Sequence, residues 1–153
     1  MPTKILIDTS VLIGILRKLP SCVDKYATNQ RANTRFYIST FTIAEVYEGF
    51  YARNVFEKKE IPHPEYQVFA RLFDKMNKRR RIVTLNPESS MFYAKLLHLL
   101  KSAGNFVPIM DVLIAAVGYV SGHTIATGDR RHFETMREVY PDLNVDFWST
   151  EKE

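Results

Sequence analysis

Asp8, Glu45, Asp111 and Asp129 each stand where a strand-like run gives way to a helix-like one. Taken singly, each has an ordinary role: Asp8, Asp111 and Asp129 can cap the helices that follow, and Glu45 can complete a capping box with Thr42. Taken together they point to other chemistry. Two carboxylates about 4 Å apart at an effective dielectric near 20 repel by about 4 kcal/mol, more than the ~1 kcal/mol typical of a cap. A shared location therefore makes sense mainly if a cation neutralises it, and an all-oxygen donor set favours Mg²⁺ or Mn²⁺ over zinc or copper.

The elements that must position these acids follow from apolar periodicity. Lys4 to Asp8 reads as a short buried strand, followed by a helix through Val11, Leu12, Ile15, Leu16 and Leu19 that Pro20 is expected to stop. Between Ser21 and Arg35 the chain is polar, with spacing for at most a short helix. Phe36–Ser39 predicts the second strand and Thr42–Glu45 the start of a helix ending near Arg53. A charged loop is expected from Asn54 to Pro64. Tyr66, Phe69, Leu72, Phe73 and Met76 then recur at helical spacing, which reads as core packing. Ile82–Leu85 predicts a third strand, with Asn86 capping and Pro87 opening a helix that stops at Gly104. Asp111 is expected to open an apolar helix ending at Gly122. His123–Thr127 forms the fourth strand, a helix lies around Phe133 to Val139, and Leu143–Trp148 makes an edge strand.

Strands alternating with helices imply an α/β fold, a three-layer α/β/α sandwich around a mainly parallel sheet of about five strands. In such units the strand-to-helix loops share the carboxyl edge of the sheet. Asp8, Glu45 and Asp129 are expected there, with Asp111 joining them if its helix starts on that side.

At 153 residues the chain has the length of one domain, and a chain this size typically buries roughly 70% of its unfolded surface. One domain over 1–153 is expected. The lone Cys22 excludes an internal disulfide framework, and His63, His98, His123 and His132 show no zinc-ligand spacing. No signal peptide is read at Met1-Pro2-Thr3-Lys4, and no apolar run approaches the roughly 20 residues of a membrane span, so the cytoplasm is the expected location. No Gly-x-Gly-x-x-Gly or P-loop occurs. The net charge of +4 permits a polyanionic partner. Its densest run is Lys78-Arg79-Arg80-Arg81, with Lys58-Lys59 and Arg130-Arg131 elsewhere. The bland reading of the long run is a helix end whose cations complement the dipole.

Asp8-Thr9-Ser10 after an apolar strand, Thr42-Ile43-Ala44-Glu45-Val46-Tyr47-Glu48-Gly49, Asp111-Val112-Leu113-Ile114-Ala115-Ala116 and Thr127-Gly128-Asp129 before Phe133 together resemble a PIN-domain ribonuclease, specifically a VapC-like toxin. The similarity runs from Ile5 to Trp148. It implies that Asp8, Glu45, Asp111 and Asp129 form the catalytic metal site, supported by the Ser10 and Thr127 hydroxyls. The implied reaction is hydrolysis of RNA phosphodiester bonds with one or two Mg²⁺ (or Mn²⁺) ions, leaving 5′-phosphate and 3′-hydroxyl ends. Arg130, Arg131, Lys78 and Arg79 are candidates to hold the RNA backbone. His132 can carry a proton, but a lone histidine more often has a structural role.

The resemblance also implies a cognate antitoxin covering the cleft and a homodimer packed through helices, with Tyr66, Phe69, Phe73 and the Phe50-Tyr51 pair as contacts. The alternatives are a catalytically inactive PIN-like module that binds RNA or protein, and a phosphatase with an Asp nucleophile. The second wants another Asp two positions on, where this chain has Ser10.

Overall fold

The computed structural model describes residues 1–57 and 63–151; Lys58 and Lys59 lie outside them. Five strands, β1 (Thr3–Ile7), β2 (Thr34–Ser39), β3 (Ile82–Val83), β4 (Thr124–Thr127) and β5 (Val145–Phe147), form one sheet in the order β3-β2-β1-β4-β5. Every pairing is parallel. The helices among the described residues are α1 (Thr9–Leu16), α2 (Pro20–Arg31), α3 (Thr40–Ala52), α4 (Pro64–Lys78), α5 (Pro87–Ser102), α6 (Ile109–Val120) and α7 (Arg130–Val139).

Alternation along the strands divides the core between two faces. Ile5, Ile7, Phe36, Ile38 and Ala126 pack with the apolar residues of α1 to α4. On the other face Leu6 meets Ile114 and Val117 of α6, while Ile125 packs with α5, α6 and α7. The expected α/β/α sandwich is the observed fold. From β1 the chain builds outward through β2 and β3, then crosses to β4 and β5 on the other side. The gap between β1 and β4 is thus a topological switch point, where ligands of open parallel sheets bind beyond the carboxyl ends.

Helix α6 reaches the sheet because Gly118 has no side chain. A Cβ there would stand 2.8 Å from Ile125 Cγ1 and 3.1 Å from Leu6 Cδ2. The neighbouring Val112, Ile114, Ala115, Ala116 and Val117 are all buried, as the apolar run of this helix suggests.

Several boundaries differ from expectation, each for a local reason. Helix α1 ends at Leu16, and Lys18 takes a positive φ of 57°; Pro20 opens α2, which suits a residue lacking the N–H that a first turn leaves unused. The polar stretch after it is a full helix of 12 residues, held through buried Cys22 on a weakly apolar face. Strand β3 has two residues, not four, because its partner β2 turns into α3 after Ser39 and leaves Thr84 and Leu85 nothing to pair with. Helix α6 begins at Ile109 behind Pro108, so Asp111 lies inside its first turn and is not its cap.

Helix α3 begins at Thr40, capped by Ser39, whose Oγ accepts from the Thr42 N–H at 3.1 Å. The Thr42–Glu45 capping box therefore does not form. In the aromatic stripe, Phe69 and Met76 are core residues, and Phe50 is buried beside them. Phe50 and Phe69 are consequently unavailable as contacts for a second copy, whereas Tyr51 keeps its ring in solvent. Asn86 and Pro87 open α5 as expected, in a reciprocal cap with Ser89. No helix among the described residues is long and apolar enough to cross a membrane.

Candidate active site

Asp8 follows the last residue of β1 and caps α1, so its carboxylate is held at the switch point by the backbone itself. Oδ1 accepts the Thr9 N–H at 2.7 Å; Oδ2 accepts the hydroxyls of Thr127 at 2.6 Å and Ser10 at 3.1 Å. The side chain is buried. Burial raises its pKa, the donors from Thr127, Thr9 and Ser10 oppose that rise, and the charge of Glu45 adds to it. Ser10 and Thr127 also set the loop after β4: Ser10 Oγ accepts the Gly128 N–H at 2.9 Å and Thr127 Oγ1 accepts the Asp129 N–H at 3.0 Å.

Glu45 lies on α3, across the β1–β2 pair from the other acids. Freed from capping, it accepts a 2.6 Å hydrogen bond from Thr9 Oγ1, which also lies 3.2 Å from the Thr42 hydroxyl. Thr9 and Thr42 thus tie the α3 carboxylate to the loop that carries Asp8. Glu48, one turn further along, is exposed.

Asp111 and Asp129 converge on His132. Asp129 caps α7, accepting the His132 N–H at 3.1 Å. The His132 ring returns beside it, with Nδ1 2.9 Å from Asp111 Oδ2 and in contact with Asp129 Oδ2. Ligand atoms of Asp111, Asp129 and His132 all lie within 4.8 Å of one another. The Asp111 carboxyl is pushed up to about 6, by burial first and then by the charges of Asp8 and Asp129, with His132 pulling the other way. Repulsion therefore links Glu45 to Asp8, Asp8 to Asp111 and Asp111 to Asp129.

The donor set fits a divalent cation. Carboxylate oxygens suit Mg²⁺ or Mn²⁺, of these two Mn²⁺ accepts the neighbouring imidazole more readily, and a cation would relieve the burden on Asp111. The tight group is Asp111, Asp129 and His132; Asp8 and Glu45 stand further back, held by hydroxyls. His132 is the residue that sequence reasoning set aside, although its i, i+3 spacing from Asp129 already placed both on one side of α7. Thr9, which holds Glu45, gave no comparable signal. Ser10 occupies the position where an Asp-nucleophile phosphatase wants its second acid, and it donates to Asp8 instead.

The basic candidates separate. Arg130 and Arg131 are exposed at the N-terminus of α7 next to Asp129, Arg130 pairing with Glu134 at 3.0 Å and lying over the Phe147 ring. Lys78 and Arg79 sit where α4 ends, before β3, on the amino-end side of the sheet and away from the acids. Lys78 pairs there with Asp74 at 2.9 Å.

A parallel α/β/α sandwich that gathers buried and half-buried carboxylates at its switch point belongs to the class of α/β proteins with an acidic cation-type site. Within that class the family is specific: the PIN domain model matches residues 5–139, and the chain belongs to that family. Among curated proteins it is similar to the plasmid stability protein StbB of Pseudomonas syringae pv. tomato, 27% identical over 135 residues, covering 85% of this chain and 91% of that one.

Solved structures share the fold at lower identity. DNA-bound VapBC of Salmonella typhimurium aligns at a TM-score of 0.73 with 20% identity, over 95% of this chain and 98% of that one. VapBC2 of Rickettsia felis, bound to a promoter DNA fragment, aligns at 0.69 with 17% identity, over 96% and 100%. FitAcB of Neisseria gonorrhoeae aligns at 0.68 with 22% identity, over 92% and 95%.

Proposed function

We propose that this PIN-domain chain is a Mg²⁺- or Mn²⁺-dependent endoribonuclease and the toxin of a toxin–antitoxin pair. The observation that carries the reading is the chain of mutually repelling carboxylates at the switch point, with the Asp111 carboxyl pushed up to about 6. Asp111, Asp129 and His132 would hold the cation, with Asp8 and Glu45 completing its acidic surroundings. When bound, such an ion lowers the pKa of an attacking water and neutralises charge on the leaving oxygen. The chain's own residues do the positioning. Thr127, Ser10 and the Thr9 N–H keep Asp8 ionisable and fixed in direction, Thr9 Oγ1 aims Glu45, and Arg130 and Arg131 are placed to grip phosphates beside the cut.

The likeness to VapBC structures and to a plasmid stability protein supports a cognate antitoxin as partner. An antitoxin segment would close this edge of the sheet, and a homodimer packed through helices is part of the same reading. The decisive experiment is RNA cleavage by purified protein with Mg²⁺ or Mn²⁺. Asp8→Asn, which keeps the side chain's size but removes the charge and one acceptor, is expected to abolish cleavage, as is excess EDTA. Activity that survives either one sinks the metal-nuclease reading. Growth inhibition unrelieved by co-expression of the adjacent small open reading frame would remove the toxin role.

A further inference from the structure

The amino-end side of the sheet holds a second concavity of the opposite charge. A cleft of about 340 Å³ opens between α2, the start of β2 and the end of α4, and Arg35, Lys75, Arg79 and Arg81 line it. Among the described residues no carboxylate lines it, and none of these four cations has a carboxylate within 4.0 Å, although five other lysines and arginines do. Neutral donors from Gln30 and Asn33 complete the wall.

Complementing a helix end explains only part of this. Lys75 lies in the last turn of α4 and answers its dipole, an effect that fades within one turn. Arg79 and Arg81 close the same helix end, the Arg81 N–H donating to the Met76 carbonyl at 2.8 Å, whereas Arg35 belongs to β2 and serves no helix terminus. Their field reaches Tyr26 in the same wall: burial raises its hydroxyl pKa, and Arg81 and Arg79 pull against that rise.

The acidic site is elsewhere. The register of β1 on β2 sets Asp8 level with Ser39, four residues along β2 from Arg35, which is about 13 Å at ~3.3 Å per residue. One nucleotide cannot fill both places, but one strand can pass both. We infer that this cleft anchors phosphates of an RNA strand at a distance from the scissile bond.

A phosphodiester backbone fits better than an acidic peptide. Three of the four cations are arginines, whose planar fork matches phosphate; Arg35 reaches the cleft from β2, and Lys75, Arg79 and Arg81 follow one another from the end of α4 toward β3. Apolar anchorage for a peptide is confined to half-buried Tyr26 and Leu72, since Phe36 and Met76 in the wall are each only 3% exposed. The identity of the strand rests on the ribonuclease reading above; the cleft's affinity for it does not.

The test is anisotropy of fluorescein-labelled polyuridylate in EDTA, where nothing is cut, across a salt series. Arg35→Glu/Arg79→Glu is expected to bind about tenfold or more weakly, and the slope of log K against log salt to fall by about 1.4, about 0.7 for each phosphate no longer neutralised. Lys75→Glu alone, on an exposed helix position, gives the smaller effect of one phosphate should the double variant fold poorly. Unchanged affinity and slope in folded variants overturn the inference, as does a parent that binds no RNA. So does a double variant that keeps RNA but loses polyglutamate, which makes the occupant an acidic peptide. A parent that binds through the cleft but cuts nothing sinks the nuclease reading and upholds this one.

Discussion

Thr9 shows how much a single hydroxyl can decide at this site. Its backbone N–H caps into Asp8 while its Oγ1 holds Glu45, so one residue fixes two carboxylates from different elements. Thr9→Val keeps shape and cap but frees Glu45. Cleavage is expected to fall about 10–100-fold, the usual cost of removing a supporting hydrogen bond, with the melting temperature nearly unchanged. A decrease no greater than at a surface position would show that Glu45 needs no holding. His123 offers a separate test in pH. It is buried, stacked on Tyr37 at 4.3 Å, with Nδ1 unpartnered, and burial and then Lys4 lower its pKa to about 4. The unfolded chain takes up this proton near 6.5, the folded protein only near 4. The His123 contribution to stability is therefore full above about pH 6.5 and is lost as pH drops toward 4, opposite in sign to that of Asp111, whose raised carboxyl favours the folded state as pH falls through about 6. Denaturant titrations of His123→Phe are expected to show stability rising relative to the parent as pH falls across that window, with the ring stack retained. The acids could be read from the chain because type and position sufficed. His132 could not, since only the fold of α7 against α6 brings its ring to Asp111.

At the scale of elements, caps and close approaches decide what each acid is free to do. Ser39 takes the cap of α3 and releases Glu45; Pro108 opens α6 and leaves Asp111 uncommitted in the first turn. The Thr-x-x-Glu pattern at Thr42 misled because a capping box has the same spacing wherever it falls, and the strand end at Ser39 set the start three residues earlier. Asn86-Pro87 was legible because a proline is accepted in a helix only in its first turn, which fixes the start. Helix α6 carries Asp111 and depends on Gly118 for its close approach to β1 and β4. Gly118→Val must push Ile125 and Leu6 aside in a core with no slack, and is expected to cost about 1–3 kcal/mol. Urea unfolding measures the destabilisation, and cleavage should fall with it as Asp111 shifts. A variant of parental stability would mean that α6 can retreat from the sheet freely.

At the scale of the molecule, carboxylates gather at the switch point, and among the described residues the cations of the cleft on the amino-end side have no carboxylate within 4.0 Å. If the switch point holds the proposed cation, repulsion there couples its binding to folding. Mn²⁺ at about 100 times its Kd is expected to add about 2.7 kcal/mol, raising Tm by about 5–10 °C for a chain of this size. Asp111→Asn should stabilise the metal-free protein and shrink the Mn²⁺ shift; equal shifts in parent and variant would argue that Asp111 stands apart from the ion. The sequence by itself determined the alternation of elements, hence the parallel sandwich, and the four acids at its junctions, because apolar period and residue type are local properties. Only the tertiary structure decided which acids meet. The strand order places β1 beside β4, joining Asp8 to Thr127 across more than a hundred residues of chain, and the same order sends Lys78 and Arg79 away from them. Proximities of that range depend on how the elements pack, which no short stretch of sequence encodes.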